Sequence, residues 1–285
     1  MDSLRFLHIP KTAGSTFSKV LRWQYRGVGK FVFKGKRLLD IERFSSLSPE
    51  EKRGIGLYTG HAPLFTGVEE ADSAPTITIL RDPLKRVRSF IQHVSEGKSP
   101  HLLEDYPPET FVLDEFLESG YSELSNLQSR MLVNYDEVGG ELRINSLTED
   151  EMVETAISNL TDRITCFGLQ EQFDYSLVLF ARTLGWKTPY YESMNRKNVR
   201  KLLTFEQRHL DRIAELNSAD IKFYEIAKQK FMDRMAADEQ TRREYRAFIK
   251  AQKVVSPIMK LYGDTGRFVV RRFRAVTGRS RPVSP

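Results

Sequence analysis

Short apolar runs, each closed by a loop and followed by apolar residues at helical spacing, organise the first hundred positions. Leu4 to Ile9 (LRFLHI) is such a run, closed by Pro10 and a stretch of small residues, and helical spacing follows from about Thr16 to Tyr25. The order repeats at Thr76 to Leu80 (TITIL), rich in β-branched residues, which leads through Arg81, Asp82 and Pro83 into a helix reaching about Glu96. Asp82 suits a helix cap and Pro83 a first helical turn. Lys30 to Phe33, Leu57 to Thr59 and Ile164 to Phe167 are shorter strand candidates. Strands alternating with helices predict an α/β fold, a parallel sheet flanked by helices.

Beyond Thr110 the pattern is mainly helical. Helices are expected at Thr110 to Ser119, Leu124 to Val133, Thr148 to Leu160 with a Thr148/Glu151 capping box, Phe173 to Gly185 and Phe205 to Leu216. A long charged helix from Ser218 to about Val254 is expected to break near Ala236. Gly97 to Pro108, with three prolines, reads as an exposed loop. The division is one domain over residues 1–264 and a basic tail over 265–285.

Charge sharpens that division. The 285 residues carry 44 Lys+Arg and 38 Asp+Glu, a formal +6. Six arginines and no acid lie between Thr265 and Pro285, so the body is balanced and the excess sits in the tail. Net charge is therefore no sign of a nucleic-acid-binding face, and no nucleic-acid partner is expected. Interleaved with Phe268, Val269, Val270 and Phe273, the tail arginines suggest a segment that is partly disordered or a surface helix, with peripheral membrane contact. One cysteine, Cys166, excludes an internal disulfide framework, and no Cys/His group has zinc spacing. With no long apolar run and a strand beginning three residues from the first Met, a cytoplasmic location is expected.

Two segments carry candidate chemistry. In the first, Pro10-Lys11-Thr12-Ala13-Gly14-Ser15-Thr16 joins a strand to a helix start. Small residues admit a phosphate to backbone N–H groups, the helix N-terminus adds partial positive charge, and Lys11 adds a full one. The same residues also fit a tight turn capped by Thr12 or Ser15. A Walker loop would carry its lysine after the last glycine, and here Lys11 precedes Gly14. The second segment, ILRDPLKRVRSF, puts Arg81 at a strand end and Ser89 two helical turns on, where they could meet a second phosphate. Lys85, Arg86 and Arg88 equally fit a solvated basic helix face.

Together the segments resemble the sulfotransferases that use 3′-phosphoadenosine 5′-phosphosulfate (PAPS), in the carbohydrate branch that includes heparan sulfate 2-O-sulfotransferase. HIPKTAGSTF is similar to that family's 5′-phosphosulfate loop and ILRDPLKRVRSF to its 3′-phosphate segment. Thr59-Gly60-His61, Ser125 to Arg130, Phe167 to Asp174 and Leu216 to Asp220 match in order and spacing, so the resemblance spans about residues 4 to 232. It implies a P-loop-like sheet and sulfo transfer from PAPS to a hydroxyl, less readily an amine, of a carbohydrate or other small acceptor, leaving the bisphosphate PAP and needing no metal. By that resemblance Lys11 neutralises the leaving phosphate, Thr12, Ala13, Gly14, Ser15 and Thr16 cradle it, and Arg81 and Ser89 hold the 3′-phosphate. His61 is the expected base among five histidines, although relatives use a histidine or a carboxylate. Gln128 and Arg130 are candidates for the acceptor or nucleotide pocket, and Asn195, Arg196 and Lys197 for a further basic contact to the 3′-phosphate. Two other readings stand beside this one: a P-loop-type kinase with Asp82 holding Mg-ATP, and a non-catalytic polyanion or membrane-surface binder working through the tail.

Overall fold

The computed structural model describes residues 3–133, 147–187, 189–192 and 202–262, with the backbone of 137–138 and 141–142. Its centre is a five-stranded parallel sheet of β1 (Leu4–Leu7), β2 (Gly29–Phe33), β3 (Ile55–Gly60), β4 (Thr76–Leu80) and β7 (Cys166–Leu169), in the order β2-β3-β1-β4-β7. β1 and β4, in the middle, are buried along their whole length, which is why they read as unbroken apolar runs. A two-residue hairpin, β5 (Glu137–Val138) with β6 (Glu141–Leu142), stands apart from this sheet.

Helices supply the covering layers. α1 (Gly14–Gln24) follows β1, and α2 (Arg37–Ser45), α3 (Pro49–Arg53) and α4 (Glu69–Asp72) lie around β2 and β3. α5 (Pro83–Ser95) follows β4, then come α6 (Leu113–Leu117), α7 (Leu127–Leu132) and α8 (Glu149–Asp162). α9 (Phe173–Thr183), α10 (Gln207–Leu216), α11 (Ser218–Ala237) and α12 (Glu239–Tyr262) complete the helical second half. Phe6, Phe17, Ile77, Ile79, Phe180 and Phe223 belong to the main core, which joins sheet, α1, α9 and α11. A second cluster around Phe90, Phe116 and Ile213 packs α5, α6 and α10 together.

Several expected bounds moved. The helix placed at Thr110 to Ser119 contracts to α6, where only Phe116 and Leu117 are buried. The Leu124 to Val133 helix divides into a 3-10 turn at Ser122–Leu124 and α7. The long C-terminal helix breaks at Asp238, close to the expected Ala236. The Gly97 to Pro108 loop carries a 3-10 turn, Pro100–Leu102, pinned by buried Leu102. No helix among the described residues is long and apolar enough to cross a membrane.

Candidate active site

The chain leaves β1 toward the β3–β2 side of the sheet and leaves β4 toward β7. The gap between β1 and β4 is thus the topological switch point, where open parallel sheets bind ligands beyond the carboxyl ends of their strands. The loops after β1 and β4 meet there in a cleft of about 1120 Å³, lined among others by Lys11, Ser15, Thr16, His61, Arg81 and Ser89. The two loop motifs and the family resemblance anticipated these six, and the fold brings them to one place.

The first loop is held in a demanding conformation. Lys11 and Ala13 have φ of 69° and 71°, in the left-handed region that residues with a Cβ rarely occupy. Each such residue costs roughly 1–3 kcal/mol and persists only where its surroundings impose it. Buried Thr12, between them, donates its hydroxyl to the Ile9 carbonyl at 2.9 Å. Thr12 therefore locks the turn, and its side chain, expected in the phosphate cradle, does not line the cleft. No side chain caps α1, so its N-terminal turn, with Gly14, Ser15 and Thr16, opens onto the cleft. Gly14 has a steric reason to lack a side chain: a Cβ there would fall 1.6 Å from His8 Nε2.

The second loop ties to the first. Arg81 Nη1 donates to the Lys11 carbonyl at 2.9 Å. Gln128 is fully buried with its amide committed: Oε1 accepts the Arg81 N–H at 2.9 Å and Nε2 donates to the Arg81 carbonyl at 2.7 Å. It lies behind Arg81, so its expected place in the pocket is corrected. Arg130 does line the cleft, with Nη1 donating to the carbonyls of Ser122 (2.9 Å) and Ser125 (3.3 Å). Asp82 caps α5, accepting the Lys85 N–H at 2.9 Å. Arg86 departs from a solvated helix face: it is fully buried and donates to the Glu123 carbonyl at 2.6 Å. Burial lowers its pKa, and Asp220 and Glu123 oppose that shift.

His61 stands exposed beyond the end of β3. Its Nδ1 donates to the His8 carbonyl at 2.9 Å, which leaves the lone pair of the neutral ring on Nε2, the state a general base requires. The His8 and His61 rings lie 4.4 Å apart. Burial, with the His61 charge adding to it, pushes the His8 imidazole down to about 3, so His8 is neutral at physiological pH. Buried Arg5 anchors the segment after His61 by donating to the Pro63 and Leu64 carbonyls and pairing with Asp72 at 3.0 Å.

Glu123 was not among the expected site residues. It sits in the cleft wall, where burial raises its carboxyl pKa and the charges of Arg86, His61, His101 and Lys11 pull it back. It lies in a three-residue 3-10 turn, too short for a periodic signal, just before the Ser125 to Arg130 motif. Lys34, between β2 and α2, and Arg37, the first residue of α2, line the same cleft. Asn195, Arg196 and Lys197 lie outside the described residues. Among the described residues no group of three or more His, Cys, Asp or Glu could hold a metal ion.

No protein-family model matches the chain. Curated relatives do: heparan-sulfate 6-O-sulfotransferase 2 of Danio rerio is 28% identical over 320 aligned positions, covering 95% of this chain and 67% of that protein. Heparan-sulfate 6-O-sulfotransferase 1 of Homo sapiens is 29% identical over 291 positions, covering 86% of this chain and 69% of its own length. The chain is a homologue of the heparan-sulfate 6-O-sulfotransferases. These relatives are carbohydrate sulfotransferases of the 6-O type, where the motifs had suggested the 2-O branch. A mouse sulfotransferase solved with PAP aligns at a TM-score of 0.37 and 14% identity, over 86% of this chain and 89% of that one. The assignment of this sulfotransferase homologue rests on the curated relatives and the paired loops.

Proposed function

We propose that this protein transfers a sulfo group from PAPS to a hydroxyl of a carbohydrate and releases PAP. The observation that carries the reading is the convergence of Lys11, the uncapped start of α1, and the Arg81/Ser89 pair on one cleft at the switch point. On this reading the 5′-phosphosulfate lies at Lys11 and the start of α1, and the 3′-phosphate at Arg81 and Ser89. The acceptor oxygen forms a bond to sulfur while the bond from sulfur to the phosphate oxygen breaks. His61 Nε2 takes the acceptor proton, and Lys11 neutralises charge gathering on the departing phosphate. Ser15 and Thr16 hydroxyls and the first-turn N–H groups of α1 hold that phosphate. The relatives' names point to a glycan of the heparan sulfate type as the first acceptor to try.

Calorimetric titration with PAP and transfer of labelled sulfate from PAPS to a glycan panel including heparan sulfate test this reading. Wild type is expected to bind PAP and transfer sulfate. Lys11→Ala is expected to abolish turnover, and His61→Ala to lower kcat ~100-fold or more with PAP affinity retained. Wild type that neither binds PAP nor transfers sulfate sinks the proposal; full activity in His61→Ala removes it as the base. Magnesium-dependent ATP binding in its place would favour the kinase reading, for which Asp82 is already committed as a cap.

A further inference from the structure

We infer that Gln128, backed by Asp220, is a positioning residue that sets the geometry of the donor-phosphate cradle through Arg81 and Lys11. The inference rests on the reading of that cradle given above. It starts from α7, which has six residues and is entered through Asn126 at φ 44° with no side-chain cap from Asn126 itself. The missing acceptors come from another element. Asp220, fully buried at the start of α11, accepts the Ser129 N–H at 2.7 Å and the Ser129 hydroxyl at 2.5 Å on Oδ1, and the Gln128 N–H at 3.0 Å on Oδ2. Asn126 and Asn217 close the joint from both sides: Asn217 Oδ1 accepts the Asn126 N–H at 3.1 Å, and Asn126 Oδ1 accepts the Asp220 N–H at 3.0 Å.

α7 is thereby fixed to α11, and its second residue points an amide at the strand end. Gln128 grips both backbone polar groups of Arg81, just past the last residue of β4. With that backbone fixed, the Arg81 guanidinium holds the Lys11 carbonyl. Lys11 is one of the two positive-φ residues of the phosphate loop, whose conformation must be imposed from outside. The order Asp220, Gln128, Arg81, Lys11 is thus a continuous series of short hydrogen bonds from a helix of the C-terminal half to the proposed leaving-group cation. None of the first three needs to touch the sulfo group to affect where Lys11 points.

The test separates positioning from stability. Gln128→Met keeps the side-chain bulk and removes the amide. Asn159→Ala serves as the control, because Asn159 Nδ2 donates to the Leu132 carbonyl at 2.7 Å and so braces the far end of the same α7 without touching Arg81. PAP Kd by calorimetry, KM for PAPS and for heparan sulfate, and Tm are measured for both. Gln128→Met is expected to raise PAP Kd and PAPS KM together by about tenfold or more, leaving the KM for heparan sulfate unchanged. Asn159→Ala is expected to lose stability with PAP Kd unchanged. Wild-type PAP affinity in folded Gln128→Met, or equal weakening in both variants, overturns the inference. Should Gln128→Met fail to fold, Gln128→Glu keeps an acceptor for the Arg81 N–H but loses the donor to its carbonyl; a raised PAP Kd supports the inference and an unchanged one overturns it. Wild type that binds no PAP overturns instead the donor reading beneath it.

Discussion

Conformational cost is concentrated at a few residues of the β1–α1 loop. Lys11 and Ala13 hold backbone angles that glycine would adopt at no penalty, yet a glycine at position 11 would remove the only full charge of the loop. His8, stacked on Phe6 and in tilted contact with the His61 ring, supports the loop from beneath with a ring that burial keeps neutral. That depressed basicity has a sign. Between about pH 6.5 and pH 3 the unfolded chain binds a proton at His8 that the folded chain does not, so stability is lost as pH falls through this window and is flat in this contribution above it. Urea midpoints measured from pH 7 down to 4.5 are expected to fall, and less steeply in His8→Gln. Equal slopes in the two proteins would show that His8 is not the group responsible.

At the scale of elements, the start of α1 is the tightest joint between sequence and site. A Cβ at Gly14 would meet the His8 ring, so Gly14→Ala has to displace either that ring or the helix start. Overpacking of this kind costs about 1–3 kcal/mol; Tm is expected to fall and PAP Kd to rise together, and a neutral result in both would show that the ring yields freely. Elements with local signals were legible beforehand. Asp82 and the Thr148/Glu151 box cap their helices as the sequence indicates, and the two buried central strands declare themselves by composition. α2 was not foreseen: of its apolar residues Leu38, Leu39, Ile41 and Phe44 only Phe44 is buried, and Leu38 and Leu39 are exposed, so its apolar positions do not mark a core-facing stripe. Thr12 and Gln128 were assigned to the ligand because motif position says nothing of side-chain direction. The partners that fix Gln128 and Ser129 lie more than 90 residues away on α11, beyond the reach of any local pattern.

On the scale of the whole molecule, a charge-balanced body holds a few cations where strand order reverses, while the surplus arginines of 265–285 lie outside the described residues. Removing 265–285 is expected to leave PAP Kd within about twofold of wild type and to reduce retention on anionic vesicles. Loss of PAP binding on truncation would place the tail within the enzyme unit.

The sheet order has one more consequence, for self-association. β2 lies at the margin of the sheet with a single strand neighbour, β3, and one side of its backbone faces away from that partner. Such margins recruit strands from other chains and seed aggregation. Along GKFVF, Phe31 and Phe33 turn inward while Lys30 remains exposed, as does Lys34 just beyond the strand. Arg43 donates to the Val32 carbonyl at 3.3 Å and occupies an acceptor that an incoming strand would use. A second copy approaching this margin would have to bring ammonium groups out of water and displace a guanidinium before gaining its first ladder bond. Strand addition at the margin farthest from β7 is thereby disfavoured.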